Sequence, residues 1–149
     1  MSVVGFDFGN LNTVAAVARK RGIDVIANEA SRRETATLVG FRDDQRTMGE
    51  LASAQLTSNL NNTVNNFKKL LGKKWNDPQV QSELASAFYR SKEIEGGEIG
   101  VEVDYQGSMQ TFTPEQITAM MLTQMRKTVE KDSNNQIKMQ ELVISVSFY

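Results

Sequence analysis

The sequence predicts an α/β chain, a mixed sheet with flanking helices. Three observations carry that expectation. An apolar run, Val3-Val4-Gly5-Phe6-Asp7-Phe8, opens a series of short strands. Ile117, Met120, Met121, Met125 and Val129 then recur at helical spacing. A second strand run, Glu141-Leu142-Val143-Ile144-Ser145-Val146, follows that helix, in an order that returns it to the first sheet.

The elements between them follow from local composition. Gly9-Asn10-Leu11-Asn12 is a turn, and Thr13 to Ala18 is the returning strand. Arg19-Lys20-Arg21-Gly22 turns the chain again into a short strand, Ile23 to Ile26, giving an antiparallel meander. Asn28 to Thr35 is a polar loop and Thr37 to Phe41 an apolar run. Arg46 to Gly49 reads as a short strand before a helix at Glu50 to Gln55.

Asn61 to Thr63 supplies helix N-caps. Val64, Phe67, Lys68 and Leu71 then share one stripe of the expected helix, with Gly72 as its C′ residue. Asp77-Pro78 starts another helix, with Val80, Leu84 and Phe88 on its apolar face. Gly96-Gly97 and the alternation Ile99, Val101, Val103, Tyr105 mark a hairpin region ending at Phe112. Thr113-Pro114-Glu115-Gln116 is a strong helix start, with Thr at the N-cap, Pro at N1 and Gln at N3. Ser133 to Asn135 ends that helix, and Glu141 to Val146 is expected as a buried strand.

Composition removes several function classes. Of 149 residues, 40% are hydrophobic and 23% charged, which suits a globular chain with a real core. A formal charge of -1 favours neither nucleic acid nor a membrane surface. No apolar run approaches a membrane span, and Met1 to Gly5 lack a basic stretch leading into an apolar one. With no cysteine and no histidine, thiolate and imidazole chemistry are excluded. Catalysis would rest on carboxylates, lysines, arginines, backbone amides or a recruited ion.

Two features can carry such chemistry. Asp7, at a strand end beside the Gly9 turn, can hold a hydrated Mg²⁺, while the turn's N–H groups meet phosphate oxygens. The commoner reading of Asp-x-Gly is a connecting β-turn. Lys68 can meet a phosphate as a point charge; its plain alternative is a lysine with its stem along apolar surface. The methionines at 120, 121 and 125 read as core filling, the commoner use of such a stripe, with a partner groove as the rarer alternative. Neither a Gly-x4-Gly-Lys-Ser/Thr loop nor a Gly-x-Gly-x-x-Gly fingerprint occurs.

Several stretches together resemble one family. They are Val4-Gly5-Phe6-Asp7-Phe8-Gly9-Asn10, Ala16-Val17-Ala18-Arg19, Gly22-Ile23 and Ala27-Asn28-Glu29. Asn62-Thr63-Val64 through Phe67-Lys68-Lys69 to Gly72, Phe112 to Met120 and Val143-Ile144-Ser145-Val146 continue the match in order. The chain resembles the N-terminal part of the nucleotide-binding domain in the seventy-kilodalton heat-shock protein superfamily, closest to its large, hundred-and-ten-kilodalton branch.

The resemblance implies an actin-like ATPase (ribonuclease H-like) fold, of which the chain holds lobe I. Residues 1–36 and 113–149 would be subdomain IA, and 37–112 the inserted subdomain IB. Asp7 would hold Mg²⁺ through water. Gly9, Asn10, Leu11 and Asn12 would wrap the β- and γ-phosphates of ATP or ADP. Lys68 would orient the attacking water and γ-phosphate. The longer protein would be a cytoplasmic, stress-response chaperone, working as nucleotide exchange factor on a 70-kilodalton heat-shock protein and holding unfolded polypeptides.

Three departures accompany the match. Asn10 stands where the ordinary chaperones carry threonine, Thr35-Ala36-Thr37 lacks the proline usual in their loop, and Val146-Ser147-Phe148-Tyr149 lacks the proline of their Val-Pro-x-Phe/Tyr. Asn10 fits the large branch and implies weak hydrolysis. The second phosphate loop, the adenosine pocket, the second lobe, the substrate domain and the lid would lie in sequence beyond this chain. The chain by itself is then expected to be inactive, to bind ATP weakly and to self-associate through exposed core surface. The alternatives are a non-catalytic actin-like interaction module and a fragment of a sugar or acetate kinase of the same superfamily fold.

Overall fold

β-branched and aromatic residues alternate at the start of the chain, and they build the first sheet. The computed structural model describes residues 3–19, 22–132 and 139–147. β1 (Val3–Phe8), β2 (Asn12–Arg19) and β3 (Gly22–Val25) run as an antiparallel meander. β4 (Glu34–Ala36) also pairs with β2, at its turn-proximal end. β11 (Glu141–Val146) pairs in parallel with β1, so Phe6 lies beside Ala15 on one neighbour and Ile144 on the other. The order is β11-β1-β2-β3, with β4 beside β2.

Alternation decides which face is covered. Val4, Phe6 and Phe8 of β1 and Ala15 and Val17 of β2 are buried. They share one core with Ile117, Met121, Met125 and Val129 of α3 (Pro114–Asp132). That i, i+4 series gives the helix its apolar stripe. The helix starts as the sequence reading expects: Gln116 N–H donates to the Thr113 hydroxyl at 3.3 Å, and Thr113 N–H donates to the Gln116 side chain at 2.9 Å.

Residues 39 to 112 form two small sheets. One is β5 (Val39–Arg42) between β6 (Gln45–Met48) and β7 (Thr63–Val64). The other is β9 (Glu98–Tyr105) between β8 (Arg90–Ile94) and β10 (Ser108–Phe112). The Phe41 ring stacks on Phe112 with centroids 5.2 Å apart and meets Tyr105 edge-on at 5.4 Å, joining the two sheets. α1 (Glu50–Gln55) follows β6, and α2 (Pro78–Ala85) is capped by the Asp77 carboxylate accepting from Gln79 N–H at 2.8 Å.

Several expectations need correction. No α-helix forms between Asn61 and Gly72. Leu60–Asn62 is a 3₁₀ turn, Thr63–Val64 joins β5, and Phe67–Leu70 is a second 3₁₀ turn. The β-branched pair favours the sheet, and Asn66 in the left-handed region (φ 52°) prevents helix propagation. With about three residues per turn, Val64, Phe67 and Leu70 are the buried positions, in place of Leu71. Gly72, at φ 70°, does follow that turn in the conformation expected of it.

Phe88 is 64% exposed because α2 stops at Ala85. β3 sits one residue earlier than expected, and Ile26 is buried just after it. β11 is not a buried strand: it lies at the sheet edge and is exposed along its whole length. The expected turn at Lys20-Arg21 and the helix end at Ser133 to Asn135 fall outside the described residues. Among the described residues no helix is long and apolar enough to cross a membrane.

Candidate functional site

The connection between β1 and β2 is too tight for a side chain at its first position. Gly9 N–H donates to the Asn12 carbonyl at 3.1 Å, and a Cβ on Gly9 would lie 2.4 Å from that same oxygen. Two further carbonyls of the turn are taken by one residue. Thr37 donates its hydroxyl to Gly9 O at 3.0 Å and its N–H to Leu11 O at 2.8 Å. The carbonyls of Gly9, Leu11 and Asn12 therefore all face protein donors. Among the described residues nothing accepts from the N–H of Asn10 or Leu11. A turn with its carbonyls engaged and its amides free is suited to an anion.

Asn10 adds a side chain to this arrangement. It is 8% exposed, and neither its Oδ1 nor its Nδ2 has a partner among the described residues. A buried amide left without partners costs roughly 1–3 kcal/mol, so such a group calls for a ligand or water.

Lys68 reaches the same place from the opposite wall. It follows Phe67, whose fully buried ring packs against Phe8 with centroids 6.3 Å apart. From that anchored 3₁₀ turn the Lys68 ammonium donates to Phe8 O at 2.7 Å and lies 5.8 Å from the Phe8 ring centroid. Phe67 fixes the backbone, and the carbonyl of β1's last residue fixes the ammonium.

Between these walls lies a cleft of about 790 Å³, the size range of small-molecule sites. Phe8, Asn10, Val146 and Ser147 line it from the first sheet and its turn. Lys68, Lys69 and Lys73, with Gln79 and Glu83 of α2, line the rest. Lys69 is paired with Glu83 at 2.8 Å, and Lys73 donates to Gln79. Lys68 is the cleft lysine whose ammonium meets a main-chain carbonyl rather than a side chain.

The structure thus brings Asn10 and Lys68 together on one cleft. Asp7, Gly9, Leu11 and Asn12 are not among its lining residues. Asp7 lies on the exposed face of β1, in register with Ser145 and Val14. Leu11 is 77% exposed, and the Asn12 amide donates to Glu34 at 3.2 Å. Among the described residues no group of three or more His, Cys, Asp or Glu side chains is placed to hold a metal. A cation at Asp7 would have to draw its other ligands from water or phosphate.

The sequence does not show that the neighbouring lysines Lys69 and Lys73 are taken by Glu83 and Gln79. Nor does it single out Thr37. The apolar run that Thr37 begins drew attention away from its hydroxyl.

A mixed sheet with flanking helices, bearing Asn10 and Lys68 on one cleft, is a partial lobe of the actin-like ATPase fold. The chain belongs to the Hsp70 protein family, whose model matches residues 3–149. It is 43% identical over 149 residues, the whole chain, to the "97 kDa heat shock protein" of Strongylocentrotus purpuratus, covering 16% of that protein. It is 42% identical over 149 residues to "Heat shock protein 110" of Caenorhabditis elegans, covering 19% of it. It is 45% identical over 146 residues, 98% of the chain, to "Heat shock protein hsp88" of Neurospora crassa, covering 20% of it. The chain therefore spans about a fifth or less of these relatives' length. It corresponds to the N-terminal part of the family's large branch.

Proposed function

We propose that this chain carries the first phosphate-binding loop and the phosphate-facing lysine of an ATP–Mg²⁺ site in a longer chaperone of the large heat-shock branch. The observation that carries the reading is the buried amide of Asn10, without a partner among the described residues, on the same cleft as Lys68. Bound nucleotide would satisfy that amide and the free N–H groups of Asn10 and Leu11. Asp7 would hold Mg²⁺ through water, and Gly9 to Asn12 would wrap the β- and γ-phosphates. Lys68 would place positive charge at the γ-phosphate and its attacking water. The ion and nucleotide bring the reacting phosphoryl group, while the protein supplies positioning and charge.

The same reading divides the chain into 1–36 with 113–149, subdomain IA, and 37–112, subdomain IB. Support comes from the first sheet drawing its strands from both ends of the chain, while residues 39 to 112 make the two small sheets. The longer protein would exchange nucleotide on a seventy-kilodalton heat-shock protein and hold unfolded polypeptides, in the ATP-rich cytoplasm. The chain alone holds part of the site, so it binds ATP weakly, does not turn it over, and self-associates through β11. No comparison favours a kinase.

A two-dimensional proton–nitrogen NMR titration of the chain with ATP–Mg²⁺ tests the reading. Shifts centred on Gly9 to Asn12, saturating only at millimolar nucleotide, are expected. No shift there defeats the phosphate assignment, and calorimetric binding at micromolar nucleotide defeats the claim that this lobe is half a site.

A further inference from the structure

The turn's geometry is not fixed by its own residues alone. Thr37 is 2% exposed and Thr13 is fully buried, and their hydroxyl oxygens lie 2.9 Å apart. The Thr37 hydroxyl donates its one proton to Gly9 O, so the Thr13 hydroxyl is the donor in the pair. A relay results: Thr13 O–H to Thr37 O–H to the Gly9 carbonyl. The Thr37 N–H adds the bond to Leu11 O. Two of the three engaged turn carbonyls therefore depend on one residue that does not line the cleft.

Thr37 is itself held from behind. β4 pairs with β2, placing Ala36 beside Asn12 and Thr35 beside Thr13. The loop before β4 is pinned by the buried Asn28 side chain. Its Oδ1 accepts from Ala30 N–H and Arg32 N–H, each at 3.0 Å. Its Nδ2 donates to Glu34 O at 3.1 Å and Thr35 Oγ1 at 3.3 Å. A polar strut thus runs from Asn28 through Thr35 and Thr37 to the underside of the turn.

We propose that Thr37 is a positioning residue for anion binding: by holding the Gly9 carbonyl it fixes the peptide that carries the Asn10 N–H, and by holding the Leu11 carbonyl it fixes the far side of the turn, so that the turn's free amides stay available to phosphate. The inference rests on the phosphate reading of the turn and assigns its geometry to a residue outside it. Without the hydroxyl, the Gly9 carbonyl loses its buried donor and the peptide joining Gly9 to Asn10 is free to rotate. The Asn10 N–H sits on that peptide, so the loss falls on a ligand donor.

The test is the same NMR titration, with ATP–Mg²⁺ and with inorganic pyrophosphate, on wild type, Thr37→Ser, Thr37→Val and Thr13→Val. Wild type and Thr37→Ser should titrate alike at the Asn10 and Leu11 amides. Thr37→Val should need about tenfold more ligand, the effect of one buried hydrogen bond. Thr13→Val, which removes only the far end of the relay, should show a smaller shift of the same sign. Serine rescue separates the hydroxyl's effect from lost methyl packing, which would change melting without following the hydroxyl. Equal titration of Thr37→Val and wild type overturns the proposal. If Thr37→Val does not fold, an unchanged Thr13→Val titration overturns it instead. If wild type itself shows no response at these amides, the phosphate reading has failed and this inference falls with it.

Discussion

The ammonium of Lys68 stands 2.7 Å from the carbonyl oxygen of Phe8, sixty residues earlier in the chain. This bond ties the 3₁₀ turn Phe67–Leu70 to the last residue of the first strand, where the Gly9 turn begins. A lysine held by a neutral carbonyl keeps its full charge for a ligand, whereas Lys69 is neutralised by Glu83. The asymmetry distinguishes Lys68 among the cleft lysines.

If the proposed ATP site is right, Lys68→Met in the longer protein should slow single-turnover hydrolysis by roughly 100-fold, the loss expected when a charge aimed at the reacting group is removed. The nucleotide Kd should change by less than about threefold, because the backbone turn remains. Unchanged turnover would remove Lys68 from the reaction.

Gly9→Ala tests the turn. Its Cβ would meet the Asn12 carbonyl at 2.4 Å, and that atom is backbone and cannot swing aside. The turn must open, at a cost of about 1–3 kcal/mol. Thermal melting should fall accordingly, and the ATP–Mg²⁺ response of Asn10 and Leu11 should vanish. A melting temperature equal to that of wild type would show that the turn is looser than its geometry indicates.

Asn10→Leu should behave in the opposite sense. It replaces an unpartnered buried amide with an apolar group of similar size. Stability should hold or rise by about 1 kcal/mol, while phosphate binding is lost. Strong destabilisation would mean that the amide has a structural partner within the fold.

How far the sequence could be read depended on where the structural information lies. β1, α1, the α3 start and the β8 to β10 region were legible because capping, period and turn chemistry are local. Asp7, the Gly9 turn and Lys68 stood out as candidates for the same reason. The Asn61 to Gly72 segment misled because its apolar spacing fits both an α-helix and a strand followed by a 3₁₀ turn. What decides is the pairing of Val64 with Val39, a contact between distant residues. Thr37 escaped notice on similar grounds: its role appears only when residues 9, 11 and 13 are brought against it. The exposure of β11 was equally hidden, since an apolar run does not say which neighbours will cover it.

Tyr89 gives a pH signature. Its phenol is buried and donates to Asn65 O at 3.3 Å. Burial, and secondarily the charge of Glu83, push its pKa up to about 12 from the usual 10. The folded state holds this proton more tightly than the unfolded chain, so its contribution is complete below pH 10. It is lost as pH rises from about 10 to 12, by on the order of 2 kcal/mol. Urea midpoints measured across that window should fall for wild type and fall less for Tyr89→Phe. Parallel curves would show that other groups govern alkaline unfolding.

The edge strand gives the last prediction. β11 pairs with β1 on one side, and its four large apolar residues are all exposed, Val143 at 62%. Neither proline nor lysine interrupts the run from Leu142 to Val146, so nothing in it blocks pairing with another strand. Two copies can meet edge to edge about a two-fold axis, each β11 supplying the partner the other lacks. Sedimentation velocity should therefore show reversible dimers whose fraction rises with concentration. Val143→Lys places a like charge near the axis from both copies and should shift the chain to monomer without lowering its melting temperature. Dimers that persist in Val143→Lys would assign the association to another surface.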